Sequence, residues 1–156
     1  MNPVAVVTGA SRGIGLAIAE TLALAGYFVV GTATTQAGAD QFSQRMTPQG
    51  QGYVLNLGDQ SSIDAFTVAL KAEHDAPLIL VNNAGITQDN LAMRMKPVEW
   101  NAVINTNLNG VFHLTQSFMR GMMKAKFGRI INISSVVGRM GNPGQVNYAA
   151  AKAGLE

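Results

Sequence analysis

Tyr148 and Lys152 stand four residues apart in Tyr148-Ala149-Ala150-Ala151-Lys152. On a helix that spacing puts a phenol and an ammonium on one face. A free phenol titrates near ~10, too high for efficient proton transfer at neutral pH, and a neighbouring ammonium favours the phenolate. The pair therefore reads as an acid able to protonate a developing alkoxide, the step that ketone reduction needs. Ser134 and Ser135, upstream, each offer a hydroxyl that could hold the carbonyl oxygen. Taken singly, a Y-x-x-x-K pair or a loop serine is an ordinary surface feature. The chemistry is carried by their joint occurrence with a second motif at the other end of the chain.

That motif is Thr8-Gly9-Ala10-Ser11-Arg12-Gly13-Ile14-Gly15. Its glycines follow G-x-x-x-G-x-G, not the G-x-G-x-x-G of the common dinucleotide fingerprint. The physics is shared. Glycine lets the backbone turn and approach a pyrophosphate, and the helix that follows offers free N–H groups. An NAD site usually has a carboxylate at the end of the second strand. Here that strand runs into Gly31-Thr32-Ala33-Thr34-Thr35-Gln36, with no acid before Asp40. With Arg12 in the glycine loop to face a 2′-phosphate, charge complementarity favours NADP(H). Asn56, Leu57 and Asp59 follow the third apolar run and could line the adenine. Asn82-Asn83-Ala84-Gly85 follows the fourth; it could contact the ribose or brace the sheet, and bracing is the role expected of Asn82.

These residues need elements to position them. Apolar runs at 4–7, 27–30, 52–55, 78–81 and 129–133 read as strands. Helical periodicity covers 14–24, 37–46, a segment capped by Ser61 to Asp64 and ending near Glu73, a start at Pro97, a longer run over 106–126, and a last helix from about Asn147. Residues 134–144 read as loop. The alternation predicts an α/β fold, a Rossmann-like, doubly wound parallel sheet. No repeat or linker divides the chain, so residues 1–156 read as one NADP(H)-binding domain.

The bulk composition excludes other classes. A hydrophobic content of 47% with 13% charged residues describes a chain with a packed core. A formal net charge of +2 gives no reason to expect nucleic acid. The absence of cysteine removes disulfides, thiolate metal sites and cysteine nucleophiles, and suits a cytoplasmic setting. No metal is expected. The first apolar run begins at Val4, which leaves no room for a signal peptide. The most membrane-like stretch, residues 14–31, is interrupted by Glu20 and Gly26, so no membrane span is expected.

The glycine loop, Asn82-Asn83-Ala84-Gly85, Asn107, Ser135 and Tyr148-x-x-x-Lys152, in this order, resemble the short-chain dehydrogenase/reductase family over the whole chain. Within it, residues 85–95 and 135–145 are similar to the bacterial 3-oxoacyl-[acyl-carrier-protein] reductases of type II fatty-acid synthesis; acetoacetyl-CoA reductases look similar. The resemblance implies that Ser135, not Ser134, positions the carbonyl and Tyr148 protonates it. Lys152 would lower the tyrosine pKa and hold the nicotinamide ribose, and Asn107 would hold a water relaying protons from Lys152. It assigns NADP(H) to Gly9, Ser11, Arg12, Gly13, Ile14, Gly15, Thr34, Asn56, Leu57, Asn83, Ala84 and Gly85, with Tyr148 and Lys152. Lys124, Lys126 and Arg129 would form a basic cluster at the site's rim, which docks acyl carrier protein in the family or is simply a solvated helix end.

Members of the family continue past this point. They complete the Tyr/Lys helix, add two strands and a substrate lid, and form homotetramers that pair the long helix before the fifth strand with the Tyr/Lys helix. The expectation is therefore a part of a longer chain, with a truncated, inactive nucleotide-binding fragment as the other reading. Without that second half, the fifth strand would be an exposed edge. Lys152 would sit on a frayed helix end, and the 156 residues alone would show little turnover.

Overall fold

The structure is a computed structural model and describes residues 2–156. Five strands, β1 (Val4–Val7), β2 (Phe28–Ala33), β3 (Gly50–Val54), β4 (Ile79–Asn82) and β5 (Arg129–Asn132), form one parallel sheet in the order β3-β2-β1-β4-β5. The helices are α1 (Gly13–Leu24), α2 (Gln36–Met46), α3 (Gln60–Glu73), α4 (Pro97–Ile104), α5 (Gly110–Lys124), α6 (Val136–Met140) and α7 (Val146–Gly154). A π-helical turn, Asn105–Asn109, joins α4 to α5.

The short apolar runs are strands because both of their faces are covered. In β1, Val4 and Val6 enter a core with Ile63, Phe66 and Leu70 of α3 and Leu114, Phe118 and Met122 of α5. Ala5 and Val7 enter a second core with Ala19 of α1 and Phe42 and Met46 of α2. The period of two sends alternate side chains to opposite layers, so every position can be apolar. Register is set through the centre: Val6 lies opposite Val30 on one side and Leu80 on the other.

The expected architecture holds, with four local differences. The second strand runs on to Ala33, which pairs with Val54, because its polar Thr32 is buried, lies opposite Tyr53 and accepts through Oγ1 from the Gly9 N–H of the glycine loop. Helix α3 is capped by Asp59, whose carboxylate accepts from the Ser61 N–H at 2.9 Å; Asp64 lies inside the helix and accepts from Gln60. The segment 134–144 is not all loop, since Ser135 caps the short α6 by accepting from Val137 N–H. The helices expected from Pro97 and from 106 are one continuous rod through the π turn.

Strand β5 lies at the sheet's edge, with Ile130 and Ile131 exposed at 41% and 45%. Among the described residues no helix is long and apolar enough to cross a membrane, and no group of three or more His, Asp or Glu side chains could hold a metal.

Leu114 is fully buried between α5 and the sheet, whereas Val68, on α3, is 69% exposed. Leu114→Ala should destabilise the fold by about 3 kcal/mol, and Val68→Ala by less than about 0.5 kcal/mol. Urea unfolding checks both; equal costs would contradict the two-layer core.

Candidate active site

The chain order reverses between β1 and β4, so the loops that leave their carboxyl ends diverge to opposite faces of the sheet. Open α/β sheets bind ligands at such a point. Here it opens into a cleft of about 550 Å³. Gly9, Ser11, Arg12, Gly13, Ile14 and Gly15 line one side of it, with Thr34 beyond them. Asn56 and Leu57 line the β3 end, and Asn83, Ala84 and Gly85 the β4 end. Twelve residues separated in sequence by up to 76 positions thus meet in one place.

The two main loops are laced together. Thr8, fully buried, accepts through Oγ1 from the backbone N–H groups of Asn83 and Ala84, both at 3.0 Å. The Asn83 amide donates in return to the carbonyls of Thr8 (3.0 Å) and Gly9 (3.1 Å). This close approach requires glycine. Gly9 has φ +63°, and a Cβ there would lie 3.0 Å from Ala84 Cα. At Gly15 a Cβ would fall on the Gly9 carbonyl and 2.6 Å from the Asn83 amide nitrogen. The first turn of α1 therefore lines the cleft with Gly13 and Gly15 as well as Ile14, and at the two glycines no side chain screens the backbone N–H groups.

Electrostatics at the far end favour a phosphate. Arg12 is exposed and, among the described residues, makes no side-chain hydrogen bond or ion pair. No carboxylate follows β2 before Asp40, and Asp40 is on α2, bonded to Gln36. Asp59, expected beside the adenine, does not line the cleft. Its carboxylate is committed to Ser61, which also holds its pKa below the ordinary carboxylate value. Asn82 braces, as expected: its amide donates to Thr115 at 3.2 Å and to Asn132 of β5 at 2.9 Å.

The second group lies where β5 ends. Helices α6 and α7 pack side by side there. The Ser135 oxygen accepts from Val137 N–H, which leaves its own proton free to donate. Ser134 is occupied otherwise, donating to the Lys152 carbonyl at 3.1 Å and to Glu156 at 3.0 Å. Lys152 lies in the last turn of its helix. Helix α7 continues to Gly154, the lysine is 4% exposed, and Nζ donates to the Ile133 carbonyl at 2.8 Å. The ammonium lies 5.6 Å from the centroid of the Tyr148 ring. Asn107, in the π turn, is buried, and its amide is bonded at both ends to the Ile86 backbone. Oδ1 accepts from Ile86 N–H and Nδ2 donates to Ile86 C=O, both at 2.8 Å. Ile86 itself lines the nucleotide-sized cleft. Ser135, Tyr148 and Lys152 do not line it; they stand on the neighbouring pair of helices.

Two placements were beyond the sequence reading. Lys124, Lys126 and Arg129 are not at the rim of this cleft, because Arg129 opens β5 and pairs with Ile79, at the amino edge of the sheet. Asn147 is fully buried one residue before Tyr148, and bonds three separate segments. An asparagine at a position that α7 buries was the signal available.

Burial pushes the Lys152 ammonium below the ordinary lysine range, since desolvation disfavours its charged form. From that lowered midpoint up to about 10.4, the unfolded chain binds more protons than the folded one, so stability rises with pH across this window. The stability of the parent relative to Lys152→Met should therefore increase as pH rises from the lowered lysine midpoint toward about 10.4. Urea titrations at a series of pH values measure it, and a flat or falling difference would refute the burial argument.

Comparison with known proteins agrees with this geometry. The family described as short chain dehydrogenase matches residues 3–156. The 3-oxoacyl-[acyl-carrier-protein] reductase FabG of Escherichia coli K12 is 59% identical over 152 residues, covering 97% of this chain and 62% of its own length. The proteins of the same name from Haemophilus influenzae and Pseudomonas aeruginosa are 55% and 54% identical. The chain thus spans a little over three fifths of the curated relatives it matches. Its glycine loop, its sheet order and the family match over residues 3–156 make it a member of the short chain dehydrogenase family.

Proposed function

We propose that residues 1–156 are the cofactor-binding and catalytic part of an NADPH-dependent reductase. Its substrate would be a 3-oxoacyl thioester on acyl carrier protein, reduced to the 3-hydroxyacyl thioester in type II fatty-acid synthesis. One observation carries the reading. A glycine-walled cleft with a free arginine and no carboxylate shares a sheet edge with Ser135, Tyr148 and Lys152. The relatives' names supply the substrate class.

The residues fit NADP(H). The backbone N–H groups of α1 and the glycine loop would hold the pyrophosphate, and Arg12 and Thr34 the adenosine end with its 2′-phosphate. Asn56 and Leu57 would flank the adenine, and Asn83, Ala84 and Gly85 the ribose side. NADPH, when bound, supplies the hydride. Ser135 then donates a hydrogen bond to the substrate carbonyl oxygen as negative charge develops there. Tyr148 gives that oxygen its proton, and the Lys152 ammonium stabilises the phenolate left behind. With the Asn107 amide committed to Ile86, a relay water from Lys152 would meet the Asn107 backbone carbonyl. A cytoplasmic setting and an assembly of subunits through α5 belong to the same reading. Phe112, Met119 and Met123 are exposed on that helix at 59%, 47% and 74%, which supports the assembly.

The test is NADPH oxidation with acetoacetyl-carrier protein and with acetoacetyl-CoA. Equal rates on both would count against a carrier substrate. Tyr148→Phe should lower turnover by about 1,000-fold and keep NADPH affinity within about twofold, because only proton transfer is lost. Arg12→Ala should weaken NADPH by about tenfold or more and leave NADH nearly unchanged. Titration of both cofactors by fluorescence decides this, and equal weakening removes the 2′-phosphate assignment.

A further inference from the structure

We propose that Asn147 is a positioning residue, a buried clasp that fixes Tyr148 against the loop after β4; as a statement about catalysis this rests on the reductase reading above. Asn147 is the second residue of α7 and has no solvent exposure. Its Nδ2 donates to the Gln88 carbonyl at 2.9 Å and to the Glu99 carbonyl at 3.2 Å. Its Oδ1 accepts from the Tyr148 N–H at 2.8 Å. One amide therefore joins the loop after β4, helix α4 and the start of the Tyr/Lys helix.

Each bond answers a need. The N–H groups in the first turn of a helix have no partner inside it, and a buried one must find a partner elsewhere. Oδ1 satisfies the N–H of Tyr148 itself. Nδ2 uses both of its N–H groups, one on the Gln88 carbonyl and one on the Glu99 carbonyl. A buried amide costs free energy unless both ends are used, and all three of these bonds are intact. Two weaker links run beside it. Asn90 N–H donates to the Gly144 carbonyl at 2.9 Å, and Gln145 donates to the Asp89 carboxylate at 3.2 Å.

The placement bears on the phenol. Lys152 Nζ on the Ile133 carbonyl anchors the last turn of α7. Asn147 anchors the first. Tyr148 follows directly on that first anchor, so the rotation of the helix about its axis, and with it the direction of the phenol, is held at two points. A shift of about 1 Å in a reacting group can cost about 100-fold in rate, with little effect on the affinity of a ligand bound elsewhere in the site.

The experiment compares parent, Asn147→Ala and Asn147→Asp. The aspartate keeps the acceptor for Tyr148 N–H and loses both donors. Two quantities are read: kcat and NADPH Kd, and amide hydrogen exchange by segment. In both variants kcat should fall about 30-fold with NADPH Kd within about twofold. Exchange in 86–90 and 148–152 should rise together by about tenfold, with β1 unchanged. A parallel loss of kcat and NADPH affinity, or a rise in exchange throughout the sheet, would make Asn147 a general fold residue and overturn the proposal. Unchanged kcat, or exchange that rises in α7 alone, would overturn it as well. Each variant is made in the whole reductase of which residues 1–156 are the proposed part; if that parent does not turn over, or Tyr148→Phe matches it, the reductase reading fails instead, and the exchange data still decide whether the clasp exists.

Discussion

Four hydrogen bonds between Thr8-Gly9 and Asn83-Ala84 hold the molecule together where its topology would pull it apart. The chain leaves β1 toward one face of the sheet and β4 toward the other. Without a tie, the carboxyl ends of these neighbouring strands would part. Thr8 and Asn83 set how far they do. They are short enough to bring Gly9 against Ala84, and only the missing Cβ of Gly9 and Gly15 permits that distance. The opening that remains is narrow, lined by backbone, and free of acidic groups along the glycine loop.

The second group of polar residues depends on the first through one stretch of chain. Residues 83–90 begin at the lacing, pass Ile86 clamped by Asn107, and reach Gln88 and Asn90 docked on the start of α7. The Tyr/Lys helix is therefore referenced to the same strand end as the cleft. Its other end is held by β5, where Ser134 and Asn132 donate to the Lys152 and Leu155 carbonyls. A free Ser135 hydroxyl follows from this division. Its neighbour does the structural bonding.

The sheet was legible in the sequence because each strand is buried on both faces and so is written as an uninterrupted apolar run, as in Val4 to Val7 or Ile79 to Val81. The cleft was legible because glycine, arginine and asparagine at those spacings have a local physical meaning. What was not legible depends on partners distant in the chain. Thr32 belongs to β2 only because β3 pairs alongside it. Asp59 caps α3 and so leaves the adenine end, a choice made by the position of Ser61. The basic residues at 124–129 read as a rim cluster until the direction of β5 sets them at the opposite edge. Asn147 has no motif of its own; its meaning lies in carbonyls 59 and 48 positions away.

The π turn at Asn105–Asn109 has a consequence for the rod it interrupts. The side chains that the rod buries, Val103, Asn107, Val111, Leu114, Phe118 and Met122, with Gly110 buried beside Val111, recur mostly every fourth position. A pure α-helix advances about 100° per residue, so over this span the stripe would drift around the rod by about one residue. The wider turn absorbs that residue. It works as a phase shifter: the first half of the rod serves α7 and the Ile86 clamp, and the second half meets the sheet, without a break in the helix. A deletion of one residue between 105 and 109 would remove the surplus residue together with the wide turn, so Val103 before it and Val111 after it would keep facing the core.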